Sequence, residues 1–138
     1  MAEFVTYNGS VCSINYHFVW VTKYRKPVLA FPDDVKAVIN IICSENGWTV
    51  KALEVMPDHV HLFITTPPFI APSVIAKIVK GASARKIFTA HPEINEELWG
   101  GHLWSPSYYC GTAGTVTAET VRRYIENQRQ RGGVSSPD

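Results

Sequence analysis

The sequence predicts an α+β fold of the split βαβ (ferredoxin-like) kind: an antiparallel sheet, two helices on one of its faces, and a further C-terminal helix. Three observations predict it. Residues 14–24 alternate between aromatic or aliphatic and other side chains, as a half-buried strand does. Two later runs of strand character, Trp48 to Val55 and His59 to Thr66, are separated by a short Met56-Pro57-Asp58 link. Two segments of helical periodicity, with a third near the C-terminus, fall between and after these runs, giving the order β-α-β-β-α-β plus helix.

Each element has its own local reason. From Ile14 to Tyr24, the residues Ile14, Tyr16, Phe18 and Trp20 alternate with Asn15, His17, Val19 and Val21. Pro27 and Phe31-Pro32-Asp33 break that pattern. Asp33 or Asp34 then caps a helix with Val35, Val38, Ile39 and Ile42 at helical spacing, and Asn46-Gly47 ends it. The two runs that follow form a hairpin, and Pro67-Pro68 stops the second. The next helix runs from about Pro72 to about Ala90, with Val74, Ile75, Ile78, Val79, Ala82 and Ile87 on its apolar side. Leu103 to Gly111 suits a fourth strand, bent or entered late because of Pro106. Gly111-Thr112-Ala113-Gly114 reads as a flexible link. Thr117 can cap a last helix, about 117–130, with Glu119 or Thr120 in its first turn, and 131–138 reads as a loose tail.

Composition narrows the class. A chain of 138 residues, 46% hydrophobic, is one domain able to bury roughly two-thirds of its unfolded surface. No apolar stretch approaches the length needed to cross a bilayer, and Met1-Ala2-Glu3-Phe4 carries no signal-peptide pattern, so a cytoplasmic protein without a membrane partner is expected. Cys12, Cys43 and Cys110 are widely spaced and form no Cys-x-x-Cys pair, which disfavours disulfides and a cysteine zinc site. The net charge of +1 excludes a bulk polycation. Local patches remain: Lys77, Lys80, Arg85 and Lys86 cluster without a nearby acid, and Arg122, Arg123, Arg129 and Arg131 gather near the C-terminus. Such patches can contact phosphates, although charge alone equally describes solvated helix faces.

The chemistry-bearing residues begin with His59-Val60-His61. On a strand, residues i and i+2 share a face, so both imidazoles project together while Val60, Leu62 and Ile64 enter the core. Two imidazoles on a rigid strand make half of a metal site. By itself the pair also fits an ordinary strand with outward polar residues. In the last helix Tyr124 and Gln128 stand four apart, on one side. Gln128 offers a carbonyl oxygen to a hard cation, and Tyr124 a phenol whose anion is a competent nucleophile. Packing alone also explains Tyr124, since Val121, Tyr124, Ile125 and Gln128 keep helical spacing. His17 points the same way as Val19 and Val21. It is a candidate partner of the metal ligands, though a core or surface histidine is the simpler reading.

Five ordered blocks carry a resemblance. They are Tyr16-His17-Phe18-Val19-Trp20-Val21-Thr22-Lys23-Tyr24-Arg25, Met56-Pro57-Asp58-His59-Val60-His61-Leu62, Lys80-Gly81-Ala82-Ser83-Ala84-Arg85, Leu103-Trp104-Ser105-Pro106-Ser107-Tyr108-Tyr109 and Val121-Arg122-Arg123-Tyr124-Ile125-Glu126-Asn127-Gln128. Together they resemble the single-tyrosine HUH transposases of small prokaryotic insertion sequences, over nearly the whole chain. The resemblance implies that His59, His61 and Gln128 hold a divalent ion, Mg2+ or Mn2+, with no organic cofactor. It implies that Tyr124 attacks a DNA phosphodiester and becomes joined to the 5′ phosphate. It further implies a homodimer acting on single-stranded DNA with hairpins at the element ends. In many members the tyrosine helix of one subunit completes the histidine site of the other. Arg85, Lys80, Lys77 and Lys86 become candidate DNA-binding residues, and Gly81 with its small neighbours a place of close backbone approach or of helix packing. The short tail leaves no extra DNA-binding domain expected.

Three other readings compete. One is a non-catalytic nucleic-acid module that stacks bases on Tyr16, Phe18 and Trp20. Another is a phosphodiesterase in which the ion activates water and Tyr124 is not needed. The third is a domesticated relative that processes repeated palindromes.

Overall fold

Val60, Leu62 and Ile64 have no exposed surface, whereas His59, His61 and Phe63 between them are partly exposed. That alternation runs along one strand of a computed structural model that describes residues 5–7, 10–12, 14–112 and 123–127. Fully burying each of those aliphatic side chains is worth about 1.5–3 kcal/mol. A slip of one residue would push both imidazoles into the core and expose the aliphatic set, so burial energy itself fixes which way the histidines face.

The described elements are β1 (Val5–Tyr7), β2 (Ser10–Cys12), β3 (Ile14–Val21), α1 (Pro32–Glu45), β4 (Thr49–Met56), β5 (His59–Thr66), α2 (Pro72–Ala90), α3 (Pro92–Glu97) and β6 (Tyr109–Thr112), with short 3-10 turns at Lys23–Arg25 and Trp99–Gly101. Residues 123–127 form a further helical segment, α4. Among the described residues, β3 to β6 make a four-stranded sheet in the order β4-β5-β3-β6, every neighbouring pair antiparallel. This is the split βαβ order that the sequence predicts. The core lies between one face of the sheet and α1 and α2. Phe18, Trp20, Leu62 and Ile64 meet Ile39, Ile42, Ile75, Val79 and Ile87 there. No helix among the described residues is long and apolar enough to cross a membrane.

Several local expectations are corrected. The first long strand stops at Val21 rather than Tyr24, because Tyr24 and Arg25 adopt φ of 57° and 55°. Left-handed backbone costs a non-glycine residue roughly 1–2 kcal/mol, so that turn needs support from elsewhere. Neither Asp33 nor Asp34 caps α1. The helix starts with Pro32 in its first turn after Phe31, and both aspartates lie inside that turn, where they favour the positive end of the helix dipole. The fourth strand begins only at Tyr109. The stretch before it pairs with the rest through a lone Thr22–Trp104 bridge, because Pro106 has no N–H to give to a ladder. Gly111 belongs to β6, as the expected strand has it, and so does Thr112, expected in a link; Ala113 and Gly114 lie outside the described residues. The β1–β2 hairpin and α3 were not anticipated.

One irregularity bears on the site. The β4–β5 register slips between Val50 and Ala52, leaving Lys51 as the extra residue of a bulge. Past it, Leu53 and Val55 pair with the buried Leu62 and Val60, and Glu54 stands opposite His61. Without the bulge Glu54 would face the core and Leu53 would face the histidine.

Candidate nucleophile and metal site

The sheet face away from α1 and α2 carries the histidines. Pairing registers place Glu54, His61, Val19 and Tyr109 in one row across β4, β5, β3 and β6, with Met56, His59 and Val21 in the next row and Ala52, Phe63, His17 and Gly111 on the other side. Val19 lies on this face and yet is fully buried, so the face is not bare along β3.

Each histidine is held by a different neighbour. His59 Nδ1 lies 2.9 Å from Asp58 Oδ1, and Arg25 Nε donates to Asp58 Oδ2 at 2.7 Å. Burial alone would raise the Asp58 carboxyl; hydrogen bonds from His59 and Arg25, and their charges, outweigh it and hold the group below its ordinary value. The left-handed turn at Tyr24 and Arg25 thus delivers the guanidinium to the carboxylate that orients His59. On the next row, His61 Nε2 and His17 Nδ1 lie 3.2 Å apart, one donating and the other accepting. The His17 ring stacks on Phe63 at 4.1 Å between centroids. Burial lowers the basicity of both imidazoles. For His17 the charge of His61 adds to this; for His61 the nearby Glu54 opposes it and His59 adds to it. A cleft of about 510 Å³ opens here, lined by His17, Ala52, Leu53, Glu54, His61 and Phe63.

The donor chemistry fits a divalent ion in part. Two imidazoles with lowered basicity or a carboxylate partner on Nδ1 keep a lone pair to offer, and the Asp58–His59 bond is the usual means of orienting a histidine ligand. Among the described residues no group of three or more His, Cys, Asp and Glu could hold a metal. Gln128, expected as the third ligand, lies outside the described residues.

Tyr124 is on α4 and is partly buried. Its hydroxyl stands 3.2 Å from Ser107 Oγ, and its ring lies 6.4 Å from that of Tyr109. Tyr109 is two strands from His61 in the same row, or about 10 Å at ordinary strand spacing. The phenol therefore sits beside the histidine-bearing face, at its β6 side.

The basic residues separate into two groups. Lys77, Arg85 and Lys86 are exposed on α2, in the helix layer across the sheet from the histidines. Lys80 turns inward. Its ammonium donates to the carbonyls of Ser105 at 2.7 Å and Ser107 at 2.9 Å, and burial pulls its pKa down to about 8. A Cβ on Gly81 would meet only Arg85 Nη1, at 3.7 Å, so no close approach within the protein demands that glycine. Of the aromatics offered for base stacking, Phe18 and Trp20 are 1% and 2% exposed within the helix-covered core, which removes them from that role. Arg25, Asp58, Glu54 and Ser107 are functional neighbours that the sequence pattern does not single out. Asp58 directly before His59 was the available signal; Arg25 and Ser107 reach the site through a turn and a non-ladder segment that have no periodicity to read.

Comparison with known proteins gives the class: a transposase, hence a DNA-cleaving enzyme. The family model described as "Transposase IS200 like" matches residues 10–128, and the chain belongs to that family. It is 42% identical over 125 residues to the ISDra2 transposase TnpA of Deinococcus radiodurans, covering 89% of both chains. A crystal structure of a Deinococcus radiodurans protein assigned as a transposase superposes with a TM-score of 0.84 at 41% identity, covering 90% of this chain and 97% of the other. A REP-associated tyrosine transposase bound to a REP hairpin shares the fold, with a TM-score of 0.52 at 15% identity, covering 91% of this chain and 69% of the other.

Proposed function

We propose that this transposase cleaves and rejoins single-stranded DNA through a covalent bond between Tyr124 and a 5′ phosphate, with Mg2+ or Mn2+ held by His59, His61 and Gln128. The observation that carries the reading is the position of Tyr124 beside the sheet face that bears the histidine pair. A divalent cation bound there would draw charge from the phosphate oxygens and favour attack at phosphorus.

Tyr124 supplies the nucleophilic oxygen. A free phenol has a pKa near 10, so little phenolate exists at neutral pH, and the oxygen gains reactivity as its proton leaves. Attack forms the Tyr124 O–P bond and breaks the P–O3′ bond; the released 3′ oxygen takes up a proton. One ester replaces another, so the bond energy is kept. A 3′ hydroxyl later reverses the step on the same phosphotyrosine and seals a strand without ATP. Asp58 and Arg25 hold His59 in orientation, and His17 does so for His61.

The DNA partner is a single strand with an imperfect hairpin near the element end, and the acting unit is a homodimer. Lys77, Arg85 and Lys86, exposed on α2, suit phosphate contacts to the hairpin. The hairpin-bound relative of the same fold supports this choice of partner.

The test is incubation of the chain with hairpin-bearing single-stranded DNA and Mg2+ or Mn2+, followed by a denaturing gel. A denaturation-resistant adduct is expected, lost in Tyr124→Phe while hairpin binding survives. Cleavage that persists in Tyr124→Phe would favour a water nucleophile. Binding without cleavage under either metal would favour a simple binding module.

A further inference from the structure

We propose that Ser107 is a positioning residue for Tyr124, and that Lys80 acts through it as the partly buried anchor of the segment carrying Ser107. The inference rests on the reading of Tyr124 as nucleophile. Residues 103–108 run past the end of β3 into β6 without a regular ladder, since Pro106 interrupts it. Other bonds hold the segment instead. Ser105 N–H donates to Val21 O at 2.9 Å, and Trp104 Nε1 donates to Ser83 Oγ at 3.0 Å. Lys80 Nζ then takes the carbonyls on both sides of Pro106, those of Ser105 and Ser107. The ammonium also lies 5.8 Å from the centre of the Tyr108 ring.

Burying an ammonium is costly, and the cost is offset where carbonyl oxygens accept its hydrogen bonds, as those of Ser105 and Ser107 do here. With Ser107 fixed in this way, its hydroxyl shares a hydrogen bond with the Tyr124 hydroxyl at 3.2 Å, either oxygen able to donate. A tyrosine side chain has few torsions, so fixing its terminal oxygen fixes the nucleophile. Small misplacements of a reacting atom have large effects on rate. The same geometry gives Lys80 a task other than the phosphate contact that its place among the α2 cations suggests.

The experiment uses the full chain, saturating hairpin DNA and Mg2+, and reads the single-turnover rate of adduct formation beside hairpin affinity over a range of salt. Ser107→Ala is expected to slow adduct formation about tenfold, the weight of one hydrogen bond, with affinity within about twofold of the wild type. Ser107→Thr, which restores the hydroxyl, recovers the rate. Lys80→Met slows the reaction as Ser107→Ala does and leaves the salt dependence of binding unchanged. The proposal is overturned if Ser107→Ala reacts at the wild-type rate, or if Ser107→Thr fails to recover it. A fall of about 0.7–0.9 in the log–log salt slope of Lys80→Met would instead mark a phosphate contact and overturn the role of Lys80. Ser107→Ala leaves every Lys80 bond in place, so it decides the matter even if Lys80→Met does not fold. If the wild type makes no adduct that Tyr124→Phe removes, the nucleophile reading fails and takes this proposal with it; normal adduct formation by Ser107→Ala defeats the proposal alone.

Discussion

Replacing Asp58 with alanine removes one carboxylate from two partners at once. Arg25 Nε lies 2.7 Å from one oxygen and His59 Nδ1 2.9 Å from the other, and the three side chains are 17–19% exposed. A hydrogen bond to a charged group contributes about 1.5–3 kcal/mol, at the low end where some solvent reaches it. Two such bonds, less the desolvation that Asp58 no longer bears, put the loss at about 2–3 kcal/mol. The left-handed Tyr24–Arg25 turn loses its side-chain tie to Asp58 in the same step. The pH dependence has a definite sign. The folded carboxyl titrates below its unfolded value of about 3.9, so its stabilisation is complete above that pH and disappears as pH falls through the lower folded value. Urea unfolding followed by tryptophan fluorescence should show the full wild-type to Asp58→Ala gap at pH 7 and a narrower gap below about pH 3. A gap under about 0.5 kcal/mol at pH 7, or one of equal size at both pH values, would rule out this stabilising role for the Asp58 carboxylate.

Other outcomes follow from the same geometry. Leu62→Ala, at a fully buried position facing the helices, should cost about 2–5 kcal/mol, read as a fall in Tm by calorimetry. His61→Ala, on the open face, should abolish DNA cleavage while hairpin affinity stays near the wild type; a large loss of binding would mean that the imidazole is structural. Arg85→Ala and Lys77→Ala should each weaken hairpin binding and lower its log–log salt slope by about 0.7–0.9, as loss of one phosphate contact does; an unchanged slope would return these residues to the solvated helix face.

How much of this was legible in the sequence varied with the kind of physics involved. β5 and α2 lie at the predicted bounds, because each is a long element with one buried side and proline at a boundary. The sharing of a face by His59 and His61 was legible for the same reason. Strand periodicity is a property of the chain itself. The end of β3 was not, since the left-handed backbone at Tyr24 and Arg25 is tied to distant residues, through Arg25 to Asp58 and through Lys23 N–H to Leu103 O. The β4 bulge at Lys51 was hidden because it changes pairing without changing composition. Lys80 was read by charge as one of four cations on a helix; its inward turn depends on carbonyls that lie more than twenty residues away. Ser107 had no periodic signal, and its relation to Tyr124 exists only once β6 and α4 are side by side.

Peptide mapping by mass spectrometry of the protein–DNA adduct tests the central claim most directly. After nuclease and protease digestion, the nucleotide is expected through its 5′ phosphate on the peptide containing Tyr124, and nowhere else. A nucleotide on another residue, or cleaved DNA with no modified peptide, would contradict that claim.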